Sequence, residues 1–160
     1  MANTEIERKF LVRGQGWKQP QRAQRYRQAY LSTDKQRVVR VRVIEDDAWL
    51  TIKGPSRGIA RLEFEYPIPV KDAEVMLDSL CQQPVIDKTR YRIEHGNHVW
   101  EVDEFHGDNQ GLVVAEIELR AEDEAFEQPE WLGEEVSDDP RYFNSNLIAH
   151  PFREWSGPDN

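Results

Sequence analysis

Cysteine is almost missing from this chain. Cys81 stands alone among 160 residues, so no internal disulfide can form, and the sequence suits a reducing compartment. No apolar run approaches the ~20 residues of a membrane-spanning helix, and no leader segment is visible; a cytoplasmic protein without a membrane partner is expected. Positive charge is also short. Against 30 Asp and Glu there are 21 Lys and Arg, a net charge of −9, which argues against a nucleic-acid partner. The four histidines, His95, His98, His106 and His150, lack the paired spacing of zinc ligands, and His95 and His98 flank a turn and read as solvent-exposed. The stretch 54–58 is not a P-loop, because no Gly-Lys-Ser/Thr follows it. There is no internal repeat, low-complexity tract or linker, so a single domain over 1–160 is expected, with 156–160 as a frayed tail.

What the chain does have is alternation. Glu5-Ile6-Glu7-Arg8-Lys9-Phe10, read as a strand, sets Glu5, Glu7 and Lys9 on one face and Ile6 and Phe10 on the other. The same period predicts strands over 23–31, 37–45, 48–53, 60–68, 85–94, 98–105 and 112–120, with hairpin turns at Asp46-Asp47 and Gly96-Asn97. Over 71–81 the period changes: Ala73, Met76, Leu77 and Leu80 recur at helical spacing, so an amphipathic helix is expected there, with Cys81 packed at its end. From Ala121 onward the chain is acidic and helical in character, with Glu122-Asp123-Glu124 as a solvated helix start. A short ordered segment follows over 131–136, and Asp138-Asp139-Pro140 opens a last helix over 141–149. Trp49, Trp100 and Trp131 read as packing residues. The class is α+β, mainly β: eight strands with helices and a C-terminal helix.

The polar faces are sorted by sign. Acids pair at Glu5/Glu7, Glu63/Glu65, Glu101/Asp103 and Glu116/Glu118; bases stand at Arg40/Arg42, Lys53 and Lys88/Arg90/Arg92, with Lys9 beside the first acids. Two arrangements satisfy this pattern. A sheet can pack its apolar face on the helix and show its charges to water. Alternatively it curls into a barrel whose charges line the lumen and whose aliphatic outer faces are covered by helices. Arginine dominates the bases, and its planar fork suits phosphate; carboxylates on rigid strands suit a hard divalent cation. Cations gathered in a lumen repel one another until a polyanion relieves them. A linear triphosphate bridged to the carboxylates by magnesium or manganese is the natural guest, open to in-line attack by a positioned water.

Glu5-Ile6-Glu7-Arg8-Lys9 matches the ExExK signature, and over nearly its whole length the chain resembles the CYTH superfamily, the triphosphate tunnel metalloenzymes. Arg40-Val41-Arg42, Thr51-Ile52-Lys53, Glu63-Phe64-Glu65, Lys88-Thr89-Arg90, Glu101-Val102-Asp103 and Glu116-Ile117-Glu118 fall in that family's order. Arg27-Gln28-Ala29-Tyr30-Leu31 resembles its second strand, and Gly133-Glu134-Glu135-Val136 followed by Arg141-Tyr142 resembles a C-terminal segment whose helix plugs one mouth of the tunnel. The resemblance implies an eight-stranded antiparallel barrel, helices packed outside, and kinship with short bacterial inorganic triphosphatases, which split tripolyphosphate into pyrophosphate and phosphate. It implies that Lys9, Arg40, Arg42, Lys53, Lys88 and Arg90 hold phosphates. Glu5, Glu7, Glu63, Glu65, Asp103, Glu116 and Glu118 would bind Mg2+ or Mn2+ or orient the nucleophile, and Tyr30, Glu7 and Lys88 would serve catalysis. Tyr30 would be the proton acceptor or its helper if neighbouring cations lower its pKa; otherwise it caps the barrel mouth. Arg61 and Arg92 share the inner parity as ligands or ion-pair partners. A homodimer is implied. The alternatives are a class IV adenylate cyclase or a thiamine triphosphatase on the same fold, or a non-catalytic binder of nucleotides or polyphosphate. The binder has little use for so many carboxylates beside an anion.

Overall fold

Alternating strands close into a ring when every one of them finds an antiparallel neighbour on both sides, and this chain does so. The computed structural model describes residues 3–155; the expected frayed tail lies outside them. The elements run β1 (Thr4–Val12), β2 (Ala23–Asp34), β3 (Arg37–Ile44), β4 (Asp47–Lys53), β5 (Ala60–Ile68), α1 (Val70–Ser79), β6 (Ile86–His95), β7 (His98–Phe105), β8 (Val113–Glu118), β9 (Leu132–Glu135) and α2 (Asn144–Ala149). The spatial order is β5-β4-β3-β2-β6-β7-β8-β1, and β1 pairs back onto β5, so eight strands form the barrel. Its seam is β1 itself. Thr4 to Ile6 pair with β5, Glu7 to Phe10 with β8, and Phe10 and Val12 with β9. The curled arrangement is therefore the one adopted, with the charged faces turned inward.

Two apolar clusters lie outside the ring, and a third closes one end of it. Beneath α1, Ala73 and Leu77 pack on Ala29, Val41, Val43 and Ala48, and Cys81 is buried with them. On another side Trp100 is fully buried and meets Phe10, Phe126 and Trp131 edge-on, with centroids 5.5 to 5.7 Å apart, a geometry the aromatic quadrupole favours. The C-terminal segment lays Tyr142, Leu147, Ile148 and Trp155 against Tyr30, Val38, Ile86 and Phe105, inward-facing positions of β2, β3, β6 and β7, and so plugs one end of the barrel.

Several expectations need correction. The segment at 131–136 contains a ninth strand, defined by its pairing with β1 rather than by its own pattern. The acidic stretch after Ala121 forms no helix, because the Glu124 carboxylate is engaged elsewhere: it accepts from the Arg120 backbone N–H at 2.5 Å and pairs with His98 Nε2 at 2.7 Å. Such side-chain bonds compete with helix formation, and they leave His98 partly buried, not free in solvent. The β3–β4 turn falls at Glu45-Asp46, one residue early, with Ile44 opposite Asp47 and Glu45 in the left-handed region at φ 54°. The last helix is broken. A 3-10 turn at Pro140–Tyr142, capped by the Asp139 carboxylate, meets extended Phe143 before α2 begins. Nor do helices cover every outer face: Ile52, Leu62 and Tyr66 on β4 and β5 are 39%, 45% and 53% exposed. Among the described residues no helix is long and apolar enough to cross a membrane.

Candidate active site in the barrel lumen

The inward faces line a cavity of about 240 Å³, open at one side. Glu5, Glu7 and Lys9 reach it from β1, Arg40 and Arg42 from β3, Lys53 from β4, Glu63 and Glu65 from β5, Lys88 and Arg90 from β6, and Glu116 and Glu118 from β8. Strand pairing fixes their depth: Lys9 stands opposite Glu116, Glu7 opposite Glu118, Lys53 opposite Glu63 and Arg90 opposite Asp103. Tyr30 lines the cavity as well, buried against Val38 and Phe105; its hydroxyl accepts a hydrogen bond from Gln28 Nε2 at 3.3 Å. A wider hollow, shared at Glu101 and Glu118, opens beyond them toward Arg92, His98 and Arg120.

Some of these charges neutralise one another. Lys9 Nζ lies 2.9 Å from Glu116, and Lys53 Nζ bridges Glu5 at 3.0 Å and Glu63 at 3.4 Å. Lys88 and Arg90 both reach Asp103 at 2.7 Å, and Arg90 also meets Glu116 at 3.2 Å and Glu101 at 3.3 Å. Against the cost of burial, Lys9, Arg90 and Lys88 hold the Glu116 carboxyl well below the usual range. Likewise, Glu116 and Glu7 raise Lys9 although burial opposes them.

Two excesses survive this pairing. Arg42 meets no carboxylate among the described residues; its Nε donates to the neutral Gln28 Oε1 at 2.9 Å. Burial, then Arg40 and Arg90, push its guanidinium down to about 10. Arg40 touches Glu65 only at 3.5 Å, and its buried Nε has no partner among the described residues. Lys88 is driven down to about 7, by burial first, with Asp103 opposing and Arg90 and Arg42 adding to the descent. On the acidic side, burial followed by Glu116 and Glu5 raises Glu7 well above the carboxylate range. Glu63 is raised by burial and Glu5, and Glu118 by burial and then Glu5, Glu63 and Glu101. Unsatisfied cations and crowded carboxylates thus share one small cavity without cancelling. The guest that relieves both is an anion carrying a cation.

Every residue nominated from the sequence lines this cavity except Asp103. That side chain is 2% exposed and lies behind Lys88 and Arg90. Glu101, two residues earlier on the same face of β7, lines the cavity instead. Arg61 lines it too, with its Nε bonded to the Gly54 carbonyl at 3.2 Å, whereas Arg92, on the same inward face as Arg90, is exposed in the adjoining hollow and pairs with Glu101 at 2.9 Å. The sequence did not mark Phe143, Asn144 and Ser145, which close one end. Asn144 Oδ1 accepts from Lys88 Nζ at 2.8 Å and from Gln28 Nε2 at 3.1 Å. The inner parity of β2 already put Gln28 in the lumen, but a lone amide carries no motif. Asn144 fell within the expected last helix, and the resemblance implied that a C-terminal helix plugs one mouth, but nothing marked this residue itself.

Comparison with known proteins places these observations. Residues 3–149 match the CYTH domain. An inorganic triphosphatase from Acetivibrio thermocellus is 52% identical over 149 residues, covering 93% of this chain and 96% of its own. A second, from Nitrosomonas europaea, is 37% identical over 153 residues, covering 90% and 96%. The crystal structure of an inorganic triphosphatase superposes with a TM-score of 0.62 at 34% identity, covering 89% of this chain and 96% of that one.

Proposed function

We propose that this chain, which belongs to the CYTH family, is a metal-dependent inorganic triphosphatase that hydrolyses tripolyphosphate to pyrophosphate and phosphate. The observation that carries the reading is the double excess in the lumen. Arg42 has no carboxylate partner among the described residues and Arg40 has only Glu65, at 3.5 Å, while Glu7, Glu63 and Glu118 crowd one another. Oxygen donors of this kind fit a hard divalent cation. Among the described residues no three acidic, histidine or cysteine side chains form a ready-made cage, so waters and substrate phosphates would have to complete the ion's shell. Glu5, Glu7, Glu63, Glu65, Glu116 and Glu118 are the residues that would hold Mg2+ or Mn2+. The ion would neutralise phosphate charge and polarise a phosphoryl oxygen. Asp103, committed to two cations, is better assigned to fixing Lys88 and Arg90.

The protein's own groups do the rest. Arg40 and Arg42 offer free donors to phosphate oxygens, and Lys9, Lys53, Lys88 and Arg90 exchange carboxylate partners for phosphate ones. A water oxygen bonds to a terminal phosphorus, the bond to the bridging oxygen breaks, and pyrophosphate leaves on that oxygen. Glu7 orients the water and takes its proton; its raised carboxyl holds a proton more readily than an exposed glutamate does. Tyr30 shapes the closed end beside it. A cytoplasmic location and a homodimer accompany this reading as proposals, as does a single domain spanning the chain.

The test is a panel of tripolyphosphate, ATP and thiamine triphosphate with Mg2+ or Mn2+, assayed for phosphate, pyrophosphate and cyclic AMP. Equal phosphate and pyrophosphate from tripolyphosphate, abolished by chelator, is the expected result. Cyclic AMP from ATP would replace the reading with a cyclase, and tight binding without turnover of any compound would replace it with a binder.

A further inference from the structure

One buried aromatic ring stands among the substrate-facing cations and has no role in the reaction described above. Tyr26 lies on β2, directly across from Lys88 on β6 and on the inward face with Gln28 and Tyr30. Its ring centroid is 4.7 Å from the Arg90 guanidinium carbon, 5.0 Å from that of Arg42, and 6.0 Å from Lys88 Nζ. It is 5% exposed and does not line the cavity. We propose that Tyr26 is a positioning residue for triphosphate binding: its ring holds the Arg42 guanidinium, which has no carboxylate partner among the described residues, beside that of Arg90, with Lys88 at the edge of the group between Tyr26 and Phe105. The proposal rests on the triphosphatase reading.

Three like charges this close repel. Lys88 and Arg90 are compensated by Asp103, but Arg42 has only the neutral Gln28. A second acid in this place would hold Arg42 and also repel the incoming polyanion, competing for the same guanidinium. An aromatic face attracts cations through its quadrupole, with up to about 2 kcal/mol in a desolvated site, and carries no net charge to oppose phosphate. A ring is thus the group that gathers cations and leaves them available. Its value is preorganisation: cations already in place cost less to align when the anion arrives.

The experiment separates the ring's electrostatics from its shape. Position 26 is filled with tyrosine, phenylalanine, and phenylalanine bearing one, two or three ring fluorines, which keep the packing and progressively weaken the quadrupole. Tripolyphosphate affinity is measured by calorimetry without metal, and KM and kcat are measured with Mg2+. Tyr26→Phe should bind within about twofold of wild type. Kd and KM should then climb stepwise with fluorination, by about tenfold at three fluorines, while kcat stays within about threefold. Tyr26→Leu should exceed the trifluoro variant if it folds; the fluorinated series decides the matter if it does not. A flat series, a series that tightens binding, or a loss in kcat with KM unchanged overturns the role of Tyr26 alone. A wild-type protein that neither binds nor hydrolyses tripolyphosphate overturns the functional reading and this proposal with it.

Discussion

The two sides of the barrel wall are built from the same strands and obey opposite rules. Outside, Val41 and Val43 of β3 pack against Ala73 and Leu77 of α1, and every contact lowers the free energy by removing apolar surface from water. Inside, Arg40 and Arg42 of that strand stand among other cations, the one with an orphaned buried Nε and the other held by a neutral amide. The exterior supplies stability, and the interior spends part of it to keep charges ready for a ligand. Substitutions on the two sides should therefore separate activity from stability cleanly.

The largest effect should come from the interior. Glu7→Gln should lower kcat for tripolyphosphate by about a thousandfold, the scale of removing one electrostatic or metal-orienting group, yet raise the melting temperature. Its sign with pH follows from the raised carboxyl. A group whose folded pKa lies above its unfolded value contributes stability below the unfolded pKa and loses it as pH rises through the folded one. The glutamine has no such loss, so its advantage in thermal denaturation should be wider at pH 8 than at pH 5. Next, Leu77→Ala should cost about 2 to 5 kcal/mol in urea unfolding, through lost transfer energy and a cavity, with kcat/KM unchanged. A large activity loss there would join what the comparison separates. Arg42→Lys should come third, raising KM about tenfold with little change in kcat, since a point charge cannot reproduce the planar fork. The smallest change belongs to Arg92→Ala, an exposed partner of Glu101; under about 1 kcal/mol in stability and under twofold in rate are expected.

The wall was legible in the sequence because its pattern has a period of two; the sorted charges allowed an open sheet or a closed ring, and it was the resemblance to the CYTH superfamily that implied closure. Depth was not legible. Glu101 and Asp103 share a face of β7, and nothing in their spacing tells which one lines the cavity and which is covered by Lys88 and Arg90; that depends on cross-strand register with β6. Tyr26 and Gln28 had the right parity, but an uncharged side chain among charged ones carries no motif. Asn144 reaches the lumen from α2, 56 positions from Lys88, a contact made by tertiary packing alone. The missing helix after Ala121 failed for a related reason: Glu124 found His98, a partner remote in sequence. The open faces of Ile52, Leu62 and Tyr66 could not be anticipated either, because a pattern specifies which side is apolar and not what covers it.

Strand β1 joins residues from the chain's beginning to β5 at its middle and to β8 and β9 near its end, and it also bears Glu5, Glu7 and Lys9. Contacts of such long sequence separation form slowly, because much of the chain must be ordered before they are made. Without β1 the edges of β5 and β8 would stand unpaired and Glu5, Glu7 and Lys9 would be missing from the lumen. One strand thus carries both the closure of the wall and the first three side chains of the site.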